Sequence, residues 1–189
     1  MTSDQWRATN FENLWATTFL RGHEHHSEIA STNDRALELC VDAELPIPFL
    51  VLADHQTSGR GRGANRWWSS DGAILFSVIV DAAEYGLPEA RWPQISLTVG
   101  AAVCQTLQDL LGGVTTVGLK WPNDVWLNGR KAAGILVEVP SARRGRVVIG
   151  VGLNVNNSFA DAPSELRPLA TSIRDETGAE RDRHEVLAH

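Results

Sequence analysis

The stretch Gln56-Thr57-Ser58-Gly59-Arg60-Gly61-Arg62-Gly63-Ala64-Asn65-Arg66-Trp67-Trp68 decides how this chain is read. Glycines alternate with arginines there, and a glycine forfeits backbone entropy while burying nothing, so neither a buried helix nor a buried strand accepts such a run. It is a loop. Alternating glycines let successive backbone N–H groups turn toward one point, and the arginines add forked donors and fixed positive charge, so the loop suits a phosphate chain or a carboxylate. An arginine–glycine segment for single-stranded nucleic acid is the competing reading, but such segments repeat within basic, disordered regions. This one occurs once, between two apolar runs.

Those runs frame the loop. Phe49-Leu50-Val51-Leu52-Ala53 and Ala73 to Val80 are continuous or near-continuous apolar stretches of strand length. A functional loop carried by rigid sheet at both ends is therefore expected. Further out, the apolar residues from Pro88 to Leu111 recur at three-to-four spacing and predict one long helix across a face of the sheet, closed by Gly112-Gly113. Before the first strand, Ser31-Thr32-Asn33 precedes the helical pattern Arg35 to Val41; one of the three caps it, and the others are left at a strand-to-helix turn, suited to a small polar ligand.

After the long helix comes Lys120-Trp121-Pro122-Asn123-Asp124, then Val125-Trp126-Leu127, the turn Asn128-Gly129 and the run Arg130 to Val139. Asn-Gly between apolar runs predicts a hairpin, which brings Lys120 and Asp124 toward Lys131 and Gly134. Of the 17 cationic residues only Lys120 and Lys131 are lysine. That points to positions needing a compact, mobile ammonium rather than a planar fork. Asn123 after a proline is also ordinary turn chemistry. Asp124, a carboxylate near two lysines and an anion-binding loop, is a candidate to hold Mg²⁺ or to orient a reacting group. Gly150-Val151-Gly152 lacks the third glycine and the helix of a dinucleotide fingerprint.

Length and charge narrow the classes. With 189 residues, 43% of them hydrophobic, the chain can bury one good core, and a net charge of −6 argues against a broad nucleic-acid footprint. Cys40 and Cys104 stand in no metal or redox spacing and read as small core hydrophobes. His23, His25 and His26 lack a completing ligand and read as the start of an exposed strand. No secretory signal and no spanning apolar stretch are visible, so a cytoplasmic protein without membrane association is expected. Trp6, Phe11, Leu14, Trp15 and Phe19 predict that residues 1–22 dock on the core, leaving residues 23–189 as the functional domain.

Taken together, Ser31-Thr32-Asn33, Gln56 through Trp67, Lys120 to Asp124, Lys131 to Glu138 and Gly150 to Asn156 resemble the biotin–protein ligases, in that family's order and over roughly residues 25 to 178. The resemblance implies an α+β fold: a mixed, largely antiparallel sheet flanked by helices, shared with lipoate–protein ligases and class II aminoacyl-tRNA synthetases. It implies biotin and ATP as substrates, with Mg²⁺, a biotinyl-5′-AMP intermediate, and a biotin carboxyl carrier protein of acetyl-CoA carboxylase or a related carboxylase as partner. Carried over residue by residue, Ser31, Thr32, Asn33, Gln56, Gly59, Arg60, Gly61, Arg62, Lys131 and Gly134 would bind biotin. Arg60, Arg62, Trp67, Lys120, Asn123, Lys131 and Asn154 would bind ATP or the adenylate, and Arg62, Lys131 and Asp124 would carry catalysis, with Asp124 also the one candidate metal ligand.

Three departures from the family stand out. Gly63 and Asn65 occupy loop positions that are often basic, so fewer phosphate contacts are expected. The stretch before the first motif leaves no room for a winged helix-turn-helix, so no DNA binding is expected, and the C-terminal SH3-like barrel is expected to be absent or truncated. A homodimer is compatible with the family pattern. A lipoate or octanoate ligase on the same fold and a non-catalytic biotin-binding module are the alternatives.

Overall fold

The computed structural model describes residues 12, 14, 16–113, 115–141, 143–160 and 162–189. Seven strands form one sheet: β1 (Gly22–Ile29), β2 (Phe49–Gln56), β3 (Ile74–Asp81), β4 (Val117–Lys120), β5 (Asp124–Leu127), β6 (Arg130–Glu138) and β7 (Arg146–Leu153). Their order across the sheet is β1-β2-β3-β7-β6-β5-β4. β1 and β2 run parallel, and every other neighbouring pair is antiparallel. A parallel pair needs a crossover. Helix α1 (Thr32–Leu39) lies on that crossover, started by Ser31, whose Oγ accepts from the Asp34 N–H. The others are α2 (Ile95–Leu111), α3 (Ile173–Thr177) and α4 (Arg183–Ala188).

Successive residues of β2 point to opposite faces of the sheet, and both sides are buried, which is why its sequence is a continuous apolar run. Val51 packs with Ile79 and Val148 under Ala36 of α1 and Cys40 just after it. Leu50 and Leu52 pack with Leu14, Phe76 and Leu187 on the reverse. On that reverse face α2 adds Leu107 and Leu111 to a larger cluster with Ile135 and Val151. The reverse face is thus a packed core, whereas α1 covers its own face only in part and leaves the middle of the sheet open.

Where the sequence predicts one helix from Pro88, the structure has a 3-10 turn, Glu89–Gln94, followed by α2. Pro93 explains the break, since it has no N–H to give to the preceding turn. The expected close is present: Gly112 sits at φ 57° in the left-handed region. Leu14 is buried against Leu50, but Phe19, read as docking, is 65% exposed; Trp6, Phe11 and Trp15 lie outside the described residues. His23, His25 and His26 lie on β1, with His25 Nε2 3.0 Å from Asp54 and His26 Nε2 2.9 Å from Glu24. Burial pushes the thiols of both Cys40 and Cys104 up, so they stay protonated in the core. Among the described residues no helix is long and apolar enough to cross a membrane.

Candidate functional site

The uncovered face begins at the N-terminus of α1. Ser31, Thr32 and Asn33 are all buried there, and capping uses only Ser31. Thr32 donates from its N–H and its hydroxyl to Gln56 Oε1, at 2.7 and 3.1 Å. The Asn33 carboxamide donates to Glu138 Oε2 at 2.9 Å and accepts from Ser77 Oγ at 2.6 Å. The result is a fixed, uncharged cluster joining α1, β2, β3 and β6. Unpaired, these groups would each cost about 1–3 kcal/mol to bury.

Glycines in the strands make room for it. Gly150 pairs with Ser77 on one side and Leu136 on the other, and a side chain there would fall on the Asn33 carboxamide. Gly134 and Gly152 are cross-strand partners, and the Trp67 indole lies across both. A Cβ at Gly152 would stand 2.5 Å from Trp67 Cε2, and one at Gly134 3.0 Å from Cζ3. Such residues mark close approach rather than weak strand. Sequence reading gave Gly150 and Gly152 no physical role, although glycine inside an apolar strand was the available signal. Ser77 and Glu138 were also missed.

The glycine loop carries backbone hydrogen bonds of its own. Gly61 N–H donates to the Asn65 carbonyl and Trp67 N–H to the Gly59 carbonyl, both at 2.9 Å, so the loop is a small hairpin. Gly63 sits at φ 66° near its tip, which is a physical reason for glycine at that position. Arg62, also at the tip, is exposed and lines the cavity below. Gly59 does not line that cavity; it lies under Trp67, whose carbonyl oxygen would be 2.7 Å from a Cβ there. Arg60 lines the cavity, but its guanidinium is already engaged by Glu138 and Asp34.

From the other side comes the β5–β6 hairpin. Asn128 at φ 47° and Gly129 at φ 81° form the expected turn. Opposite it the register slips: Val125 pairs with Ala133 but Trp126 with Lys131, so Ala132 is an extra residue. Strict alternation would put Lys131 on the face opposite Gly134; the bulge turns it onto the same face. Lys131 Nζ consequently meets Asp124 Oδ1 at 2.6 Å and lies 5.6 Å from the Trp67 ring centroid. Its backbone is clamped as well, the N–H donating to Leu169 and the carbonyl accepting from Thr171, each at 2.9 Å.

Glu176 fixes this clamp. Its carboxylate accepts from Thr171 Oγ1 and Asn128 Nδ2, each at 2.7 Å, and from Arg130 at 2.6 Å. Burial pushes its carboxyl up, but the hydrogen bonds from Thr171 and Asn128 and the charge of Arg130 outweigh that and hold it below the usual value.

Ser31, Thr32, Asn33, Gln56, Arg60, Gly61, Arg62, Trp67, Asn123, Asp124, Lys131, Gly134 and Asn154 border one cavity of about 890 Å³, a size that admits a nucleotide-bearing ligand. Uncharged donors and acceptors line one region, and Arg62, Arg66, Lys131 and Asp124 another. Three expected groups meet contacts that the sequence does not show. Lys120 does not border the cavity; its ammonium rests 4.0 Å over the Trp126 ring, a cation–π contact on the hairpin. Asn123 and Asn154 border it with their side-chain donors already given to the Ile135 and Thr171 carbonyls, so they shape the wall. Asp124 is taken up by Lys131, and among the described residues no three His, Cys, Asp or Glu side chains gather to hold a metal ion. Asp124 is the one carboxylate among the described residues that borders the cavity, so a Mg²⁺ there would be held mainly by the phosphates of its ligand.

Residues 27–154 match the Biotin/lipoate A/B protein ligase family. The chain is 36% identical over 167 residues to the bifunctional ligase/repressor BirA of Bacillus subtilis, covering 87% of this chain and 50% of that protein. It is 41% identical over 141 residues to the biotin–[acetyl-CoA-carboxylase] ligase of Mycobacterium tuberculosis, covering 74% of this chain and 50% of that protein. It thus spans about half the length of these relatives. Among solved structures, the biotin protein ligase of Aquifex aeolicus in complex with biotin and ATP superposes with a TM-score of 0.74 at 31% identity, covering 89% of this chain and 66% of that one. The Leishmania major biotin protein ligase in complex with biotinyl-5-AMP gives a TM-score of 0.70 at 26% identity, covering 88% and 71%. The match across residues 27–154, with the superposition on solved ligases, shows that the chain belongs to the biotin/lipoate A/B protein ligase family.

Proposed function

We propose that this chain is the catalytic unit of a biotin–carrier-protein ligase. One observation carries the reading: Arg62 and Lys131, from separate elements, border the same cavity as the uncharged cluster of Ser31, Thr32, Asn33 and Gln56. Biotin presents the matching pair of ends, a neutral ureido ring that both donates and accepts hydrogen bonds and a carboxylate. Lipoate shares the carboxylate but its other end is a dithiolane, which neither donates nor accepts a strong hydrogen bond and has no use for such a cluster, so biotin is favoured. The Aquifex aeolicus ligase in complex with biotin and ATP and the Leishmania major ligase in complex with biotinyl-5-AMP support the same substrates.

In the first step a biotin carboxylate oxygen attacks the α-phosphorus of ATP and the bond to pyrophosphate breaks, giving biotinyl-5′-adenylate. Two anions must meet, so cations already in place lower the barrier. Arg62 and Lys131 supply them. MgATP enters as a substrate whose ion is carried by its own phosphates; no side chain is assigned to it. In the second step a carrier lysine attacks the acyl carbon, AMP leaves, and an amide forms as the amine gives up a proton. When Lys131 turns to the adenylate it releases Asp124, whose carboxylate then aligns the incoming amine. Trp67 and the loop hairpin lie over the site and limit access of water to the anhydride.

The relatives' names support a biotin carboxyl carrier domain as acceptor. The test is mass spectrometry of such a domain after incubation with this chain, biotin and MgATP. One biotin increment on a single lysine is expected. An unmodified carrier, with no pyrophosphate released, would refute the proposal; modification with lipoate but not biotin would move the chain to the rival specificity.

A further inference from the structure

We propose that Arg60 is a latch rather than a ligand contact: with Glu138 and Asp34 it ties the glycine-loop hairpin to β6 and α1, which makes Glu138 a positioning residue for the site. The Arg60 fork grips Glu138 with both nitrogens, NH2 to Oε1 at 2.7 Å and NH1 to Oε2 at 3.0 Å, and NH1 reaches Asp34 Oδ1 at 2.5 Å. Glu138 Oε2 also accepts from Asn33 Nδ2 at 2.9 Å. One carboxylate at the end of β6 therefore joins the loop to the helix start that bears the uncharged cluster.

The charge balance points the same way. One guanidinium facing two carboxylates leaves a local surplus of negative charge, which would not draw in a carboxylate or a phosphate. That work falls to Arg62, Arg66 and Lys131. The two arms differ in strength: Glu138 is 22% exposed and pairs bidentately, whereas Asp34 is 47% exposed and more strongly screened. Behind the latch, Arg60 and Arg66 face each other across the loop hairpin. Holding Arg60 thus holds the base of the hairpin whose tip carries Arg62, and a loop already in position needs less ordering when a ligand arrives.

The test is native-state trypsin cleavage after Arg62 of the ligand-free chain, followed by mass spectrometry, in wild type, Glu138→Gln, Arg60→Gln, Asp34→Asn and the double variant Glu138→Gln/Arg60→Gln. Glu138→Gln should speed this cut about fivefold, the upper end for a partly exposed pair, Asp34→Asn about twofold, and Arg60→Gln, which loses both arms, about tenfold. The double variant should match Arg60→Gln alone, with cleavage after Arg91 and the Tm unchanged. In adenylation the loss should fall on the biotin KM rather than on kcat. Additive effects in the double variant, or an Arg60→Gln adenylation defect with cleavage unchanged, would overturn the latch and make Arg60 a ligand contact. The adenylation arm rests on the proposed reaction and the proteolysis arm does not, so wild type without adenylation would count against the ligase reading alone.

Discussion

Gly152→Ala offers the sharpest separation between shaping the site and holding the fold. A Cβ at Gly152 would stand 2.5, 2.8 and 2.9 Å from Cε2, Cζ2 and Nε1 of Trp67. Carbon atoms rest at about 3.5–4.0 Å, so the indole must lift by roughly 1 Å or more. Trp67 can do so, because it is half-buried and rides on a loop. Stability should therefore fall by no more than about 1 kcal/mol, a Tm loss of roughly 2–4 °C. Adenylation should fall about a hundredfold, since a displacement of this size over the reacting groups misaligns them. Gly150→Ala is the matched opposite. Its Cβ would strike the carboxamide of Asn33, which is buried and bonded to Ser77, Glu138 and Leu136, and so has nowhere to go. Overpacking and broken hydrogen bonds together should cost about 3–5 kcal/mol, and the Tm should drop by roughly 10 °C. Pyrophosphate release and thermal denaturation of both variants check this. Gly152→Ala adenylating within threefold of wild type would mean that Trp67 does not rest on β6 and β7 during turnover.

Arg62→Ala should lower adenylation a hundredfold or more with little change in Tm, because it removes an exposed cation facing the cavity. Lys131→Ala should match it in adenylation and also lose some stability, since it strands the Asp124 carboxylate; pyrophosphate release beside a melting curve reads both. Glu176→Gln tests the clamp through pH. The folded-state pKa of Glu176 is lowered, so its stabilisation is present above the ordinary glutamate value and is lost as pH falls through the folded value. Urea midpoints should show wild type well above the variant at pH 7, the gap narrowing below about pH 5; a gap independent of pH would refute this.

What the sequence disclosed and what it withheld divide along a physical line. Runs such as Phe49 to Ala53 and the Asn128-Gly129 turn announce themselves because their signal is local: a strand buried on both faces must be apolar throughout, and the left-handed turn selects its residues. The direction of a side chain is not local. Lys120 and Lys131 were picked out by the same argument, the scarcity of lysine, yet one extra residue at Ala132 puts Lys131 over the cavity while Lys120 lies on Trp126. No composition or spacing rule reports a bulge. Likewise Arg60 and Arg62 look alike in sequence, being two residues apart and each flanked by glycine. What separates them is that Glu138, 78 positions later, ends β6 within reach of Arg60. Roles in this site are therefore assigned by which distant carboxylate a cation meets, and the loop's own sequence determines only that there are cations to assign.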